Sequence, residues 1–415
     1  MTTESAHVAA AARPARSYLG SLIVLTSLFF MWGLITSLND ILIPHLKSAF
    51  TLSYVQATLI QLAFFGAYFV VSLPAGWLVE KLGYKPGIII GLAIAGVGCL
   101  LFYPAAAAAA YPLFLGALFV LASGITLLQV AANPYVTILG SPRTASSRLT
   151  LTQAFNSLGT TIGPRLGTTL ILASATAGTP AAEAALVQKP YLALAAVLFA
   201  IAVVFVALKL PAIEGGAARA AAEPRARLWS HRQLVLGVVA IFVYVGGEVA
   251  IGSLLVNFMS DPAIAGLPES TAGGYVSYYW GAAMVGRFVG AGVMLYVRPG
   301  RLLAFNAVAA VILLATAMAS AGETAMWCVL AVGFFNSIMF PTIFALALNG
   351  LGKHTGEGSG VLCMAIVGGA IVPVVQGAFA DHFGLLPSFA VPLVCYLYIF
   401  YYGLSGHRPR PAPAV

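Results

Sequence analysis

Charge is what this sequence has least of. Only 8% of its 415 residues are Asp, Glu, Lys or Arg, while 60% are hydrophobic. A soluble domain carries roughly 25% charged residues to stay dispersed, so a soluble globular protein is excluded and most of the surface must face lipid. Cysteine is scarce too: Cys99, Cys328, Cys363 and Cys395 all fall in apolar stretches without metal-ligand spacing. That excludes a disulfide framework and a cysteine metal centre, and leaves the four as small buried hydrophobes. Acidic residues number 12 against 20 basic ones. The resulting excess does not mark a nucleic-acid partner, because the basic residues lie in short clusters between apolar runs. No nucleophile–base pair, metal cluster or phosphate-binding loop is present, so neither an enzyme nor a cofactor or metal is expected. A cleavable signal peptide is not expected either: the polar tail with Arg13 and Arg16 leads into a span long enough to stay in the membrane.

What the sequence does have is long apolar runs. A helix of about 20 mostly apolar residues crosses a hydrocarbon core, and only a helix satisfies its own backbone there. Twelve such runs begin near Tyr18, Tyr54, Pro86, Tyr111, Ser147, Pro190, His231, Pro268, Arg301, Glu323, Thr355 and Pro387. The expected fold is all-α and membrane-spanning, with twelve helices in two six-helix bundles. The expected boundaries are a tail at 1–17, a bundle at 18–211, a linker at 212–230, a bundle at 231–405 and a tail at 406–415. The linker is charged, with Glu214, Arg219, Glu223, Arg225 and Arg227 close to or within it. With the N-terminus in the cytoplasm, sixteen Lys and Arg residues fall inside, Lys47 and Lys189 fall outside, and Arg165 and Arg287 lie within spans. This asymmetry obeys the positive-inside rule and puts both termini in the cytoplasm.

The halves echo one another. The fifth span reads FNSLGTTIGPRLG and the eleventh AIVGGAIVPVVQG; Asn133-Pro134 on the fourth answers Phe340-Pro341 on the tenth. Duplicated halves with Gly/Pro-interrupted helices point to a secondary transporter whose site lies between them. After the second span comes GWLVEKLGYK, in which Gly76 opens the motif and Gly83 permits a tight turn. Glu80, Lys81 and Lys85 put a carboxylate and two ammonium groups at adjoining helix ends, where they can bond to another helix and act as a gate. This loop resembles the signature of the major facilitator superfamily, with Glu80 and Lys81 where Asp and Arg are usual. Gly286-Arg287 resembles its degenerate partner.

Carboxylates inside spans are functional candidates, because burying one costs several kcal/mol unless it faces a cavity or a partner. Asp40 lies in the first span and Glu248 in the seventh. Trp32, Thr36, Asn39 and Asp40 share one helical face. Gln129 and Asn133 are four apart on the fourth span; Gln153, Asn156 and Thr160 form a stripe on the fifth; Tyr244 and Glu248 are four apart on the seventh. Asn257, Trp280, Asn336 and Gln376 add single groups. A lone amide can be interhelical glue. Carboxamides repeated over several spans, with aromatic faces, suit the hydroxyls and C–H face of a neutral sugar or polyol.

The runs FFMWGLITSLNDILIP, LLQVAANPYVTILG, LTQAFNSLGTTIGP and YVGGEVAIGSLLVNF resemble the fucose–proton symporter family, particularly its glucose/galactose branch, from Tyr18 to Gly403. The resemblance implies inner-membrane sugar uptake driven by a cation gradient, with Asp40 in the place of the family's essential first-span aspartate. Fucose permeases carry a glutamate where this chain has Gln129, and a glutamine where it has Glu248. The second carboxylate has changed bundles, which argues against L-fucose itself and leaves proton and sodium both open as the coupling ion. Arg165 stands where the family has a small or apolar residue. The expectation is therefore a monomeric hexose importer using Asp40 or Glu248 for coupling. The rival readings are an uncoupled facilitator or exporter of another neutral solute, and a sugar sensor.

Overall fold

The computed structural model describes residues 16–49, 54–108, 110–170, 188–208, 210 and 228–409. The linker residues 211–227, with their charged side chains, lie outside them. Twelve spans are formed. They are α1 (Arg16–Ala49), α2 (Tyr54–Leu82), α3 (Tyr84–Ala107), α4 (Tyr111–Ile138), α5 (Ala145–Leu170), α6 (Gln188–Ala207), α7 (Arg232–Ser260), α8 (Glu269–Val293) and α9 (Pro299–Ala319). The tenth, α10, is broken into Gly322–Asn336 and Met339–Leu348. The eleventh, α11, runs as Thr355–Met364 and Gly368–Phe383 about a tighter turn. The last, α12, is Ala390–Tyr401, closed by a wider turn to Gly406. Among the described residues, ten of the spans are long and apolar enough to cross a bilayer by composition alone, and those of α5 and α8 fall short.

Each half packs as a bundle. In the first, α3 lies on α4 and α6, α2 on α4, and α1 on α5; in the second, α7 lies on α10, α11 and α12, and α9 on α10 and α12. Small residues let the backbones approach, as expected where no hydrophobic driving force separates helix from lipid. A Cβ on Gly159 or Gly163 of α5 would collide with α1. The four cysteines are free, and three of them are buried.

The loop between α2 and α3 is a single residue, Gly83, at φ 91°, where a side chain would be strained. Short turns of this kind bring the C-termini of the even helices to one end, together with the basic residues. There the cations satisfy carbonyls that helix ends leave free. Arg148 donates to the carbonyls of Val136, Thr137 and Ser141 at the end of α4. Lys85 Nζ donates to Val206 O at 3.0 Å and Leu208 O at 2.8 Å at the end of α6. Arg232 reaches Ser405 O and the Tyr401 hydroxyl at the end of α12.

The two bundles meet at this basic end. There α2 lies along α11 so closely that a Cβ on Gly76 would stand 3.0 Å from Gly356 O, and one on Gly360 2.6 Å from Ser72 O. On the other side of the molecule α5 lies along α8, with Ser147 Oγ donating to Ala291 O at 2.6 Å and Phe155 edge-on to Phe288. Among the described residues no substantial packing joins α1 to α7. Among the described residues the interface is shut at the basic end.

Candidate functional site

The site is built around a break in α10. Pro341 has no N–H, so the carbonyl four residues earlier, that of Ser337, lacks its helical partner. Backbone groups cannot be left unsatisfied at membrane depth. Arg287 Nε of α8 meets the Ser337 carbonyl at 3.1 Å, and the Tyr244 hydroxyl of α7 meets that of Asn336, also at 3.1 Å. Asn336 Nδ2 in turn donates to the Tyr279 hydroxyl at 2.7 Å. Glu248 lies one turn from Tyr244, within electrostatic reach of Tyr244, Tyr279, Tyr396 and Arg287. Its Oε1 is buried without a hydrogen-bond partner, as are Asn336 Oδ1 and the Tyr396 hydroxyl. Trp280 packs against Gly252, the next turn of the Glu248 face, and is half exposed.

The first bundle has a counterpart. Pro134 frees the carbonyl of Val130 on α4, and Ser359 Oγ of α11 meets it at 2.8 Å. One free carbonyl thus draws a donor across the bundle interface, and the other draws an arginine that itself crosses it. The Arg287 guanidinium also donates to the Ser157 hydroxyl and, at 3.4 Å, to the Gln153 carbonyl, both on α5.

The amide stripes come together, but much of their hydrogen bonding is spent between helices. Gln129 Nε2 donates to the Tyr68 hydroxyl of α2 at 2.5 Å, and Gln153 Nε2 to Asn133 Oδ1 at 3.4 Å. Asn156 Nδ2 is held by Phe29 O of α1 at 2.9 Å. Asn133 Nδ2 is buried without a partner. Gln376 pairs with Ser388 at the foot of α12. Asn257 is exposed near the far end of α7, away from the Glu248 cluster. The side chains of Asn39, Asp40 and Arg165 lie outside the described residues, although their backbones belong to α1 and α5.

The charged residues of the signature loop separate. Lys85 is committed to α6 within its own bundle, and Lys81 sits 3.8 Å over the Trp77 ring. Only Glu80 faces the other bundle, beside Glu357 and His354 of α11 and its preceding turn. Burial and the neighbouring His354 hold the His231 imidazole below its ordinary range. Tyr68, Ser157, Tyr279, Tyr396, His354 and Glu357 were not singled out in the sequence, since helical spacing shows which residues share a face but not which helix lies opposite.

Two six-helix bundles, shut against each other at one end, with buried polar groups around interrupted helices at mid-depth, define a membrane transporter. A family model described as Major Facilitator Superfamily matches residues 23–365. The glucose/galactose transporter of Brucella abortus biovar 1 (strain 9-941) is 59% identical over 95% of both chains. The L-fucose-proton symporter of Escherichia coli (strain K12) is 36% identical over 93% of this chain and 92% of its own. The crystal structure of the transporter FucP in the outward conformation superposes with a TM-score of 0.85 at 33% identity, over 93% of this chain and 98% of that one. The chain belongs to the major facilitator superfamily and, within it, to the fucose–proton symporter family, in the glucose/galactose transporter branch.

Proposed function

We propose that this protein imports a neutral hexose, glucose or galactose in the first place and N-acetylglucosamine or another sugar in the second. Uptake is coupled to a cation, with the proton first and sodium second, and proceeds by alternating access of the two bundles. The basic end faces the cytoplasm of a bacterial inner membrane, with both termini on that side and the protein acting as a monomer. The observation that carries the reading is Glu248: a buried carboxylate on α7, with an unpartnered oxygen, among tyrosines and an asparagine at the α10 break. Polar atoms left dry are costly, so the unpartnered oxygens of Glu248 and Asn336 and the amide of Asn133 favour a ligand rich in hydroxyls. Trp280 offers a flat apolar face one turn from the carboxylate. The names of the relatives support a hexose over another neutral solute.

Asp40, or in second place Glu248, carries the coupling proton in this scheme. With the basic end shut, sugar and proton enter from the open side, and the dry intermediate that follows disfavours an unpaired carboxylate charge. The test is uptake of radiolabelled glucose and galactose into proteoliposomes, with unlabelled competitors and imposed proton or sodium gradients. Uptake that never exceeds equilibration under either gradient would make the protein a facilitator. Absence of any sugar flux would leave the sensor reading.

A further inference from the structure

The contact between Glu80 and α11 has an unusual charge balance. Glu80 comes from the first bundle; Glu357, and His354 one turn before it, come from the second. One ligand-capable atom from each lies within 4.8 Å of the others. His354 Nδ1 is 3.4 Å from Glu357 Oε2, while Glu80 Oε2 and His354 Nε2 are buried and unpartnered. The basic residues of the signature loop do not neutralise the pair, since Lys85 is held by α6 carbonyls and Lys81 by Trp77. Lys353 supplies positive charge nearby. Among the described residues the ion pair that these carboxylates make is that of Glu357 with His354. Glu80 and Glu357 therefore meet across the interface in a direct hydrogen bond, beside one imidazole, with Glu80 Oε2 and His354 Nε2 left vacant.

We propose that Glu80, His354 and Glu357 form a binding site for a borderline divalent cation such as zinc, shared by the two bundles and complete only when the basic end is shut. One imidazole and two carboxylates are a known zinc donor set, with a fourth position left to water. Tetrahedral donors at about 2.0–2.2 Å from the metal lie roughly 3.4 Å apart. The present spread of up to 4.8 Å requires the donors to draw in by little more than about 1 Å on binding, within the reach of flexible glutamate side chains. Magnesium, which demands oxygen donors and sheds water reluctantly, fits this set poorly. Because the donors come from both bundles, a bound ion favours the shut state and opposes reorientation.

The experiment uses the full chain and zinc chloride alone. Zinc is titrated against the melting temperature of the purified protein, its His354→Ala variant and its Glu357→Gln variant, with magnesium chloride as comparison. The melting temperature of the unaltered protein should climb with zinc and not with magnesium, and the variants should need at least roughly tenfold more zinc for the same rise. The rise should shrink below the pKa of the imidazole, since protons compete for it. The second readout reports the state of the gate. With the native cysteines replaced by alanine and Ser72→Cys introduced where α2 meets α11, zinc should slow thiol labelling, and the further change His354→Ala should remove the slowing. A zinc response unchanged in both variants, or no response at all, overturns the site. Binding without slower labelling overturns its role at the gate.

Discussion

The Arg287 guanidinium of α8 donates to the Ser157 hydroxyl of α5, so one side chain joins the bundles at the depth of the α10 break. The same guanidinium satisfies the carbonyl that Pro341 leaves free and lies in the field of Glu248. A cation placed this way links three events: the shut interface, the break in α10 and the charge on α7.

Loss of that link should favour opening of the basic end. Hydrogen bonds to a charged group contribute about 1.5–3 kcal/mol, so Arg287→Ala should shift the ratio of shut to open states by roughly tenfold to a hundredfold. Ser157→Ala removes one of the two bonds that Arg287 makes across the interface and should act in the same direction, more weakly. The shift would be read from thiol labelling at the α2–α11 contact. Equal labelling in the parent and both variants would show that the bond contributes nothing to the shut state.

The signature loop should divide by residue. Glu80→Gln alters the group that faces α11 and should change the state ratio and slow transport, with sugar affinity little affected. Lys85→Ala removes two bonds to the end of α6 and should cost about 1 kcal/mol per bond in stability, without moving the gate. Melting curves and thiol labelling on the same two proteins separate these outcomes. A gate shift in Lys85→Ala as large as that in Glu80→Gln would refute the division.

Asn156 should affect both packing and binding. Its Nδ2 is taken by Phe29 O, which leaves Oδ1 for a sugar hydroxyl. Asn156→Ala should therefore lower the melting temperature and weaken sugar binding by about 1–3 kcal/mol, the cost of an unmet polar partner. A lower melting temperature with unchanged affinity would assign the residue wholly to the contact between α1 and α5.

Much of the architecture was legible because lipid imposes it. Every span starts within three residues of the position expected, since length and hydropathy are set by the bilayer. The spans whose described residues fall short of membrane-crossing hydropathy, α5 and α8, carry residues of the bundle interface, among them Gln153, Ser157 and Arg287. Their polarity is the consequence of facing the other bundle. The α10 break was marked by Pro341 in the sequence, but it falls one turn earlier, at Ser337, because proline frees the carbonyl four residues before it. Pairing across helices was not legible. Nothing in the spacing says that Gln129 meets Tyr68, or that Lys85 turns to α6 while Glu80 turns to α11.

The sidedness is directly testable. Cysteines introduced at Lys189 or Glu269 should react with an impermeant thiol reagent applied to intact cells, and cysteines in the 211–230 linker should not. The reverse pattern would put the shut end outside and recast the protein as an exporter.

Coupling provides the sharpest test, because it separates symport from facilitation. Accumulation against a gradient requires that the sugar-loaded carrier cross readily when protonated and only slowly when deprotonated. A carboxylate at mid-depth imposes that rule, since its charge must otherwise pass through a dry, closed intermediate. Neutral replacements abolish the rule without abolishing the pathway. Asp40→Asn should therefore lose sugar accumulation under an imposed proton gradient while retaining exchange between two sugar-loaded sides, where no empty carrier needs to reorient. Glu248→Gln should do the same if the α7 carboxylate has taken over the task of the fourth-span glutamate that Gln129 replaces; otherwise its main effect will be on sugar affinity. Arg287 distinguishes the two cases. It lies in the field of Glu248, so Arg287→Ala should alter proton uptake on sugar addition if Glu248 carries the proton, and leave the stoichiometry intact if Asp40 does. Proton uptake would be followed with a pH-sensitive dye in lightly buffered proteoliposomes, with sodium replaced by choline as control. Accumulation retained by Asp40→Asn and Glu248→Gln alike would refute both assignments, and a response of the unaltered protein to sodium alone would recast the carboxylates as ion ligands.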